Sequence, residues 1–215
     1  IGPFLAGAAL LFACASGWGR AVGWSIDDIV YILAGSCLVW AIPTVWRGDF
    51  RPTTILLLAC IARLAQFPVE AGDDINRYLW EGWVQLQGIN PYQHAPSSLT
   101  APEALLPIWE GINGADMTAV YPPGVLLFFR ALAAITLDPA SMKWVAGVAD
   151  LLIVWVLLDL CRLLRRRCVW VLAYALHPLV LLSFAGEGHL DSLMILPMML
   201  GIRAMVQGHS LRAFV

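Results

Sequence analysis

The sequence predicts an all-α membrane protein that crosses the bilayer several times, and three observations carry that expectation. The 215 residues are 60% hydrophobic and only 13% charged, against roughly half apolar and a quarter charged in ordinary soluble domains. Mean hydropathy is +0.76. The apolar residues also gather in runs, and six of the seven runs are long enough to span a hydrocarbon core, which takes about 20 residues of helix. A net charge of -2 without a long basic stretch excludes a nucleic-acid partner, because such partners need a concentrated positive surface. The five cysteines, Cys14, Cys37, Cys60, Cys161 and Cys168, lack the close pairing of zinc sites and disulfide frameworks.

In chain order the runs cover residues 1–17, 29–46, 53–69, 125–137, 144–164, 169–185 and 190–206. The run at 125–137 is the short one. It follows Pro122 and Pro123, carries Arg130, and as a helix covers only about 20 Å of a core of about 30 Å. Lys and Arg collect in cytoplasmic loops, so Arg47 and Arg51 place the 47–52 loop inside and the long 70–120 segment outside. If 125–137 is re-entrant, the cluster Arg162, Arg165, Arg166 and Arg167 also falls inside, with Arg203 and Arg212, and 187–191 falls outside. A segment that enters without crossing must be buried in protein or line a wet cavity, so a cavity is expected. Tryptophans recur near the expected helix ends, as at Trp18, Trp24, Trp46 and Trp144, where aromatic rings anchor to the membrane interface. We read residues 1–215 as one transmembrane domain with an extracytoplasmic loop at 70–120. The start at Ile1 and the apolar end at Leu211–Val215 suggest the N-terminal half of a longer chain.

Seven of the fifteen acids lie in the 70–120 segment, where Arg77 is the one basic residue. At about 100° per residue, Asp74, Arg77, Tyr78, Glu81 and Gln85 share one helical face, and Ile75, Leu79, Trp83 and Leu86 share the other. That is the pattern of a helix lying in the membrane surface, its polar side turned to a cavity or water. Asp73 falls off the polar face, ahead of the first turn, and suits an N-cap. Asp74 is then the carboxylate presented to the cavity. Near apolar walls it suits a general base that takes a proton from an attacking hydroxyl. The alternative is an acidic first turn favoured by the helix dipole.

The order D-D-x-x-R-Y-L-W-E-G, then G-x-N-P-Y, then Tyr121-Pro122-Pro123, then Gly186-Glu187-Gly188-His189-Leu190-Asp191 after His177-Pro178-Leu179 resembles the GT-C superfamily of membrane glycosyltransferases. Within it, the chain is most similar to bacterial polyprenol-phosphate-mannose-dependent mannosyltransferases. The resemblance covers about residues 72–201. It implies a GT-C-type helical bundle in the inner membrane whose active site faces the extracytoplasmic side. It further implies a polyprenyl-phosphate-linked sugar donor, inverting attack at the anomeric carbon, a glycan or lipid acceptor, and a catalytic Asp in the first large outer loop. The common Asp-x-x-x-Tyr spacing falls here on Asp74 and Tyr78.

The remaining candidates each carry two readings. Arg77 suits a donor phosphate or an i,i+4 salt bridge with Glu81. Asn90-Pro91-Tyr92 reads as a turn, with Tyr92 a candidate for the sugar. Tyr121-Pro122-Pro123 starts the short helix. Glu187, His189 and Asp191 form either a solvated turn or a site for the donor phosphate, and His94 faces substrate or water. Asp73 with Asp74 could hold a divalent ion, but no metal or other cofactor is required. Asp150 and Asp159 lie on opposite faces of one helix, and Asp150 pairs with Arg130 or Arg63. Arg47-Gly48-Asp49 is a coincidental likeness to an adhesion tripeptide. The rival classes are a transporter with Asp150, Asp159 and Arg130 along its path, and a scaffold that binds lipid without turnover.

Overall fold

A computed structural model describes residues 26–45 and 47–209, with side chains from residue 35 onward. The run at 1–17, Cys14, Trp18, Trp24, Trp46, Arg212 and residues 211–215 lie outside the described residues. All regular structure among the described residues is helical: α1 Ile26–Val45, α2 Pro52–Leu64, α3 Asp73–Leu86, α4 Leu106–Glu110, α5 Pro123–Ala133, α6 Pro139–Leu163, α7 Leu172–Ala175, α8 Pro178–Val180 and α9 Asp191–Val206. Short 3-10 turns precede α4 and α7, and α8 runs on into a π turn at Leu181–Gly186.

Proline sets several of the starts. Arg51, Pro122 and His177 are held at ψ 134°, 152° and 122°, each just before the proline that opens α2, α5 or α8. A residue before proline is pushed out of the helical region, and proline at the first helical position loses no bond it would have made.

Several helices are shorter than the apolar runs in which they lie, α2 and the bent pair α7 and α8 among them. Among the described residues, α6 with its 25 residues is long and apolar enough to cross a membrane, and a second span exists only if the bent pair Cys168–Ala175 and Pro178–Gly186 is counted as one. That pair bends by 55°, because Pro178 cannot donate to the turn before it. The run at 53–69 loses its last five residues to a turn, whose Phe67 and Val69 carbonyls accept from Lys143 Nζ. Of the six full-length spans expected from the runs, one or two are long enough among the described residues. The 11-residue α5 covers about 16 Å, short of a span as the 125–137 run predicts.

The described residues belong to two compact units, residues 1–70 with 143–215, and residues 71–142. In the first, α1, α2, α6, α7 and the π turn close over a core that includes Ile42, Ile55, Val154, Leu158, Leu172 and Leu181. Within it Arg63 meets Asp150 at 2.8 Å, and Tyr174 donates to the other carboxylate oxygen at 2.7 Å. A charge buried among apolar helices must find such a partner, and of the two expected arginines it is Arg63.

The second unit is built on the crossing of α3 and α5. Gly82 makes the approach: a Cβ there would stand 2.3 Å from the Phe129 carbonyl oxygen. One turn later Gln85 donates to the Leu126 carbonyl at 2.9 Å. A small apolar core of Trp80, Val84 and Ile112, flanked by Trp83, Leu99 and Trp109, lies on another side of α3.

Candidate active site

The Gly72 carbonyl accepts the first intrahelical bond, from Ile75, so Gly72 is the residue at the N-cap of α3. The capping expectation for Asp73 is off by one position. Asp73 is exposed within the first turn, and its Oδ1 accepts the N–H of Asp74 at 3.0 Å. Both carboxylates thus sit where the helix dipole favours negative charge.

Asp74 is half-buried. Its Oδ1 accepts from the Asn113 side-chain amide at 2.7 Å, and its Oδ2 lies 3.5 Å from the Tyr78 hydroxyl, one turn along. The Tyr78 ring stacks on Phe129 at 4.7 Å and meets Tyr121 edge-on at 5.4 Å. Burial, and after it the negative charges of Asp74 and Glu81, push the Tyr121 phenol up to about 12, against a hydrogen bond with Tyr78. Tyr121 therefore keeps its proton at neutral pH. Its carbonyl accepts the Tyr92 hydroxyl at 2.5 Å.

Arg77 is 2% exposed and has all five of its N–H donors engaged. Nε donates to Glu81 Oε1 at 2.8 Å. One terminal nitrogen donates to the carbonyls of Asn113 and Gly114, at 3.2 and 2.9 Å, and the other to those of Met117 and Thr118, at 2.8 and 2.9 Å. A guanidinium has five donors, so none is left for a phosphate. Of its two readings the geometry favours the pairing with Glu81 and adds a clamp on the 113–118 backbone. Glu81 is equally buried; desolvation raises its carboxyl above the usual range despite Arg77. The polar face of α3 is therefore not turned to open water over its length. From Arg77 to Glu81 it is interior, packed on loop backbone.

The Asn90 side chain accepts the Tyr92 N–H at 3.0 Å, which makes 90–92 an Asx-type turn. Tyr121-Pro122 leads into α5 as expected. In the first unit, Gly188 takes φ 81°, a left-handed conformation open to glycine. That turn brings His189 Nε2 to 3.2 Å from Glu187 Oε2, while Asp191 opens α9 exposed. Asp159 pairs with Arg203 at 2.6 Å, apart from the Arg63–Asp150 pair. Asp49 accepts the N–H groups of Cys168 and Val169, a structural role for the last residue of the Arg47-Gly48-Asp49 tripeptide. His94 is exposed. No group of three or more His, Cys, Asp or Glu side chains comes together among the described residues.

Asn113 was not singled out by the sequence. Asn113-Gly114 is a turn signal, but the carboxylate it meets lies 39 positions earlier, and nothing in the spacing reports that.

The second unit thus presents one half-buried carboxylate at a helix start, braced by the Asn113 amide and by Tyr78, in a chain whose described residues are all-helical and include an apolar helix long enough to cross a membrane. The chain matches the family model for the alpha-(1->6)-mannopyranosyltransferase N-terminal domain over residues 29–215. It belongs to that family, and mannosyl transfer is its class of reaction. No curated protein and no solved structure matches it.

Proposed function

We propose that the protein transfers mannose from a polyprenyl-phosphate donor to a glycan or lipid acceptor on the extracytoplasmic side of the inner membrane, as a polytopic GT-C-type enzyme, with Asp74 as general base. One observation carries the assignment: in a mannosyltransferase chain, Asp74 is the half-buried carboxylate of the second unit, and Asn113 fixes it at 2.7 Å. Asp74 takes the proton of the acceptor hydroxyl, the oxygen attacks the anomeric carbon from the face opposite the phosphate, and the sugar–phosphate bond breaks with inversion. The products are the new glycoside and the polyprenyl phosphate. Asp73 adds negative charge at the helix start. Tyr78 donates a hydrogen bond to the base, Tyr121 packs against Tyr78, and Glu81, Asn90 and Tyr92 act through the scaffold that holds them. Rate enhancement comes from positioning and charge stabilisation, with no metal ion in the proposed steps.

The test is sugar transfer by the full-length protein in membranes, with polyprenyl-phosphate-mannose or GDP-mannose as donor, for wild type and Asp74→Asn. Turnover from the lipid donor alone, lost in the variant, is expected. Wild-type turnover in Asp74→Asn overturns the base assignment, and turnover from GDP-mannose overturns the donor.

A further inference from the structure

The loop from Gly111 to Thr118 has no regular structure of its own, yet side chains of α3 bind it at many points. Asn76 donates to the Gly111 carbonyl at 3.2 Å, and Arg77 donates to four carbonyls between Asn113 and Thr118. Gly111 packs so closely on Asn76 that a Cβ would come within 2.5 Å of its amide nitrogen. Gly114 supplies the left-handed φ of 56° that turns the chain. A buried arginine that binds one loop through four of its five donors, the fifth going to Glu81, fixes that loop's backbone far more firmly than an i,i+4 pair needs. The side chain this rigid loop delivers is Asn113, on Asp74.

We propose that Asn113 is a positioning residue of the mannosyl-transfer site: its amide holds the Asp74 carboxylate in the orientation that receives the acceptor proton, and Arg77 holds Asn113 through the backbone. The inference rests on Asp74 being the base. It also explains why Arg77 stands one turn from the carboxylate without touching it: the guanidinium acts at a distance of one loop residue.

Arg77 grips Asn113 by its carbonyl, so replacing the side chain leaves the clamp intact. Asn113→Ala and Asn113→Asp in the full-length protein, assayed with polyprenyl-phosphate-mannose and a short synthetic α-mannoside, separate the possibilities. Asn113→Ala is expected to lower kcat about 10- to 100-fold, with the donor KM and the melting temperature near wild type. Asn113→Asp keeps the shape but replaces the donor with a like charge, so kcat is expected to fall further. A wild-type kcat in Asn113→Ala, a recovery of kcat in Asn113→Asp, or losses that follow the melting temperature and donor KM instead of kcat overturns the inference. Asp74→Asn assayed alongside isolates the other failure. If it is inactive while Asn113→Ala is normal, the positioning role alone fails; if it is active, the base assignment fails.

Discussion

Among the described residues each unit buries one arginine against one carboxylate, and the two pairs are used differently. Arg63 and Asp150 are 5% and 0% exposed, Arg77 and Glu81 3% and 2%. Arg63 spends its other hydrogen bonds on helices: the Ala59 carbonyl one turn back and the Ala175 carbonyl at the end of α7, each from the same nitrogen. Arg77 spends its own on irregular backbone. A helix satisfies most of its carbonyls internally, whereas irregular backbone turned toward a buried side chain leaves carbonyls that something else must satisfy. The first pair therefore neutralises a charge between packed helices, and the second substitutes for missing secondary structure.

That difference yields the largest expected effect. Asp150→Leu strands Arg63 and is expected to cost about 3–5 kcal/mol, and adding Arg63→Leu recovers most of it, because removing a whole buried pair is often neutral. The corresponding pair of changes in the second unit, Glu81→Leu with Arg77→Leu, is expected not to recover, since four loop carbonyls stay unsatisfied. Denaturant unfolding of the four single and two double variants in detergent measures both couplings. Equal recovery in the two units would erase the distinction.

A smaller contrast lies in two helical glycines. At Gly82 an added methyl group meets the Phe129 backbone at 2.3 Å, and at Gly147 it meets the Ala185 side chain at 3.7 Å, an ordinary contact. Gly82→Ala is expected to cost about 1–3 kcal/mol through overpacking. Gly147→Ala is expected to be neutral or to gain up to about 1 kcal/mol of helix propensity. Melting temperatures of the two variants decide it. A loss at Gly147 to match that at Gly82 would mean α6 is packed as tightly as the α3–α5 crossing.

The two regions were also unequally legible in the sequence. Helical class, the start of α5 at Pro123, the turn at Asn90 and the pairing of Asp150 all rest on local rules or on one obligatory partner, whereas the break at His177-Pro178 falls inside the run read as continuous from 169 to 185. The positions of Asp74 and Tyr78 on α3 followed from helical periodicity together with the family spacing. What stayed hidden depended on acceptors with no sequence signature. The carbonyls of residues 113–118 look alike in every sequence, so the burial of Arg77 and Glu81, and with it the inward turn of the polar face, could not be read. Run length overstates α2 for a related reason: hydropathy at 65–69 records apolar residues, not the turn that ends α2 at Leu64.

The smallest effect is at the helix ends, where both units use the same motif with different residues. After α3, Gly88 takes φ 76° and Ile89 donates to the Val84 carbonyl at 3.0 Å; after α6, Arg165 takes φ 53° and Arg166 donates to the Cys161 carbonyl at 2.7 Å. Both are left-handed ends in which the second residue past the cap reaches back to satisfy an orphan carbonyl. Glycine adopts that conformation freely, and a residue with a Cβ loses roughly 1–2 kcal/mol there. Arg165→Gly is therefore expected to stabilise the chain by about 1 kcal/mol. Gly88→Arg is expected to destabilise it by a similar amount with no steric part, since a Cβ at Gly88 has open space around it. Opposite shifts in denaturation midpoint for the two exchanges would show the cost to be conformational. A loss on Arg165→Gly would show instead that the arginine side chain does something at this turn that outweighs its backbone strain. Its neighbours Arg162, Arg166 and Arg167 are the residues that led the sequence to place this end of α6 on the cytoplasmic side, where cations near the lipid headgroups are favoured.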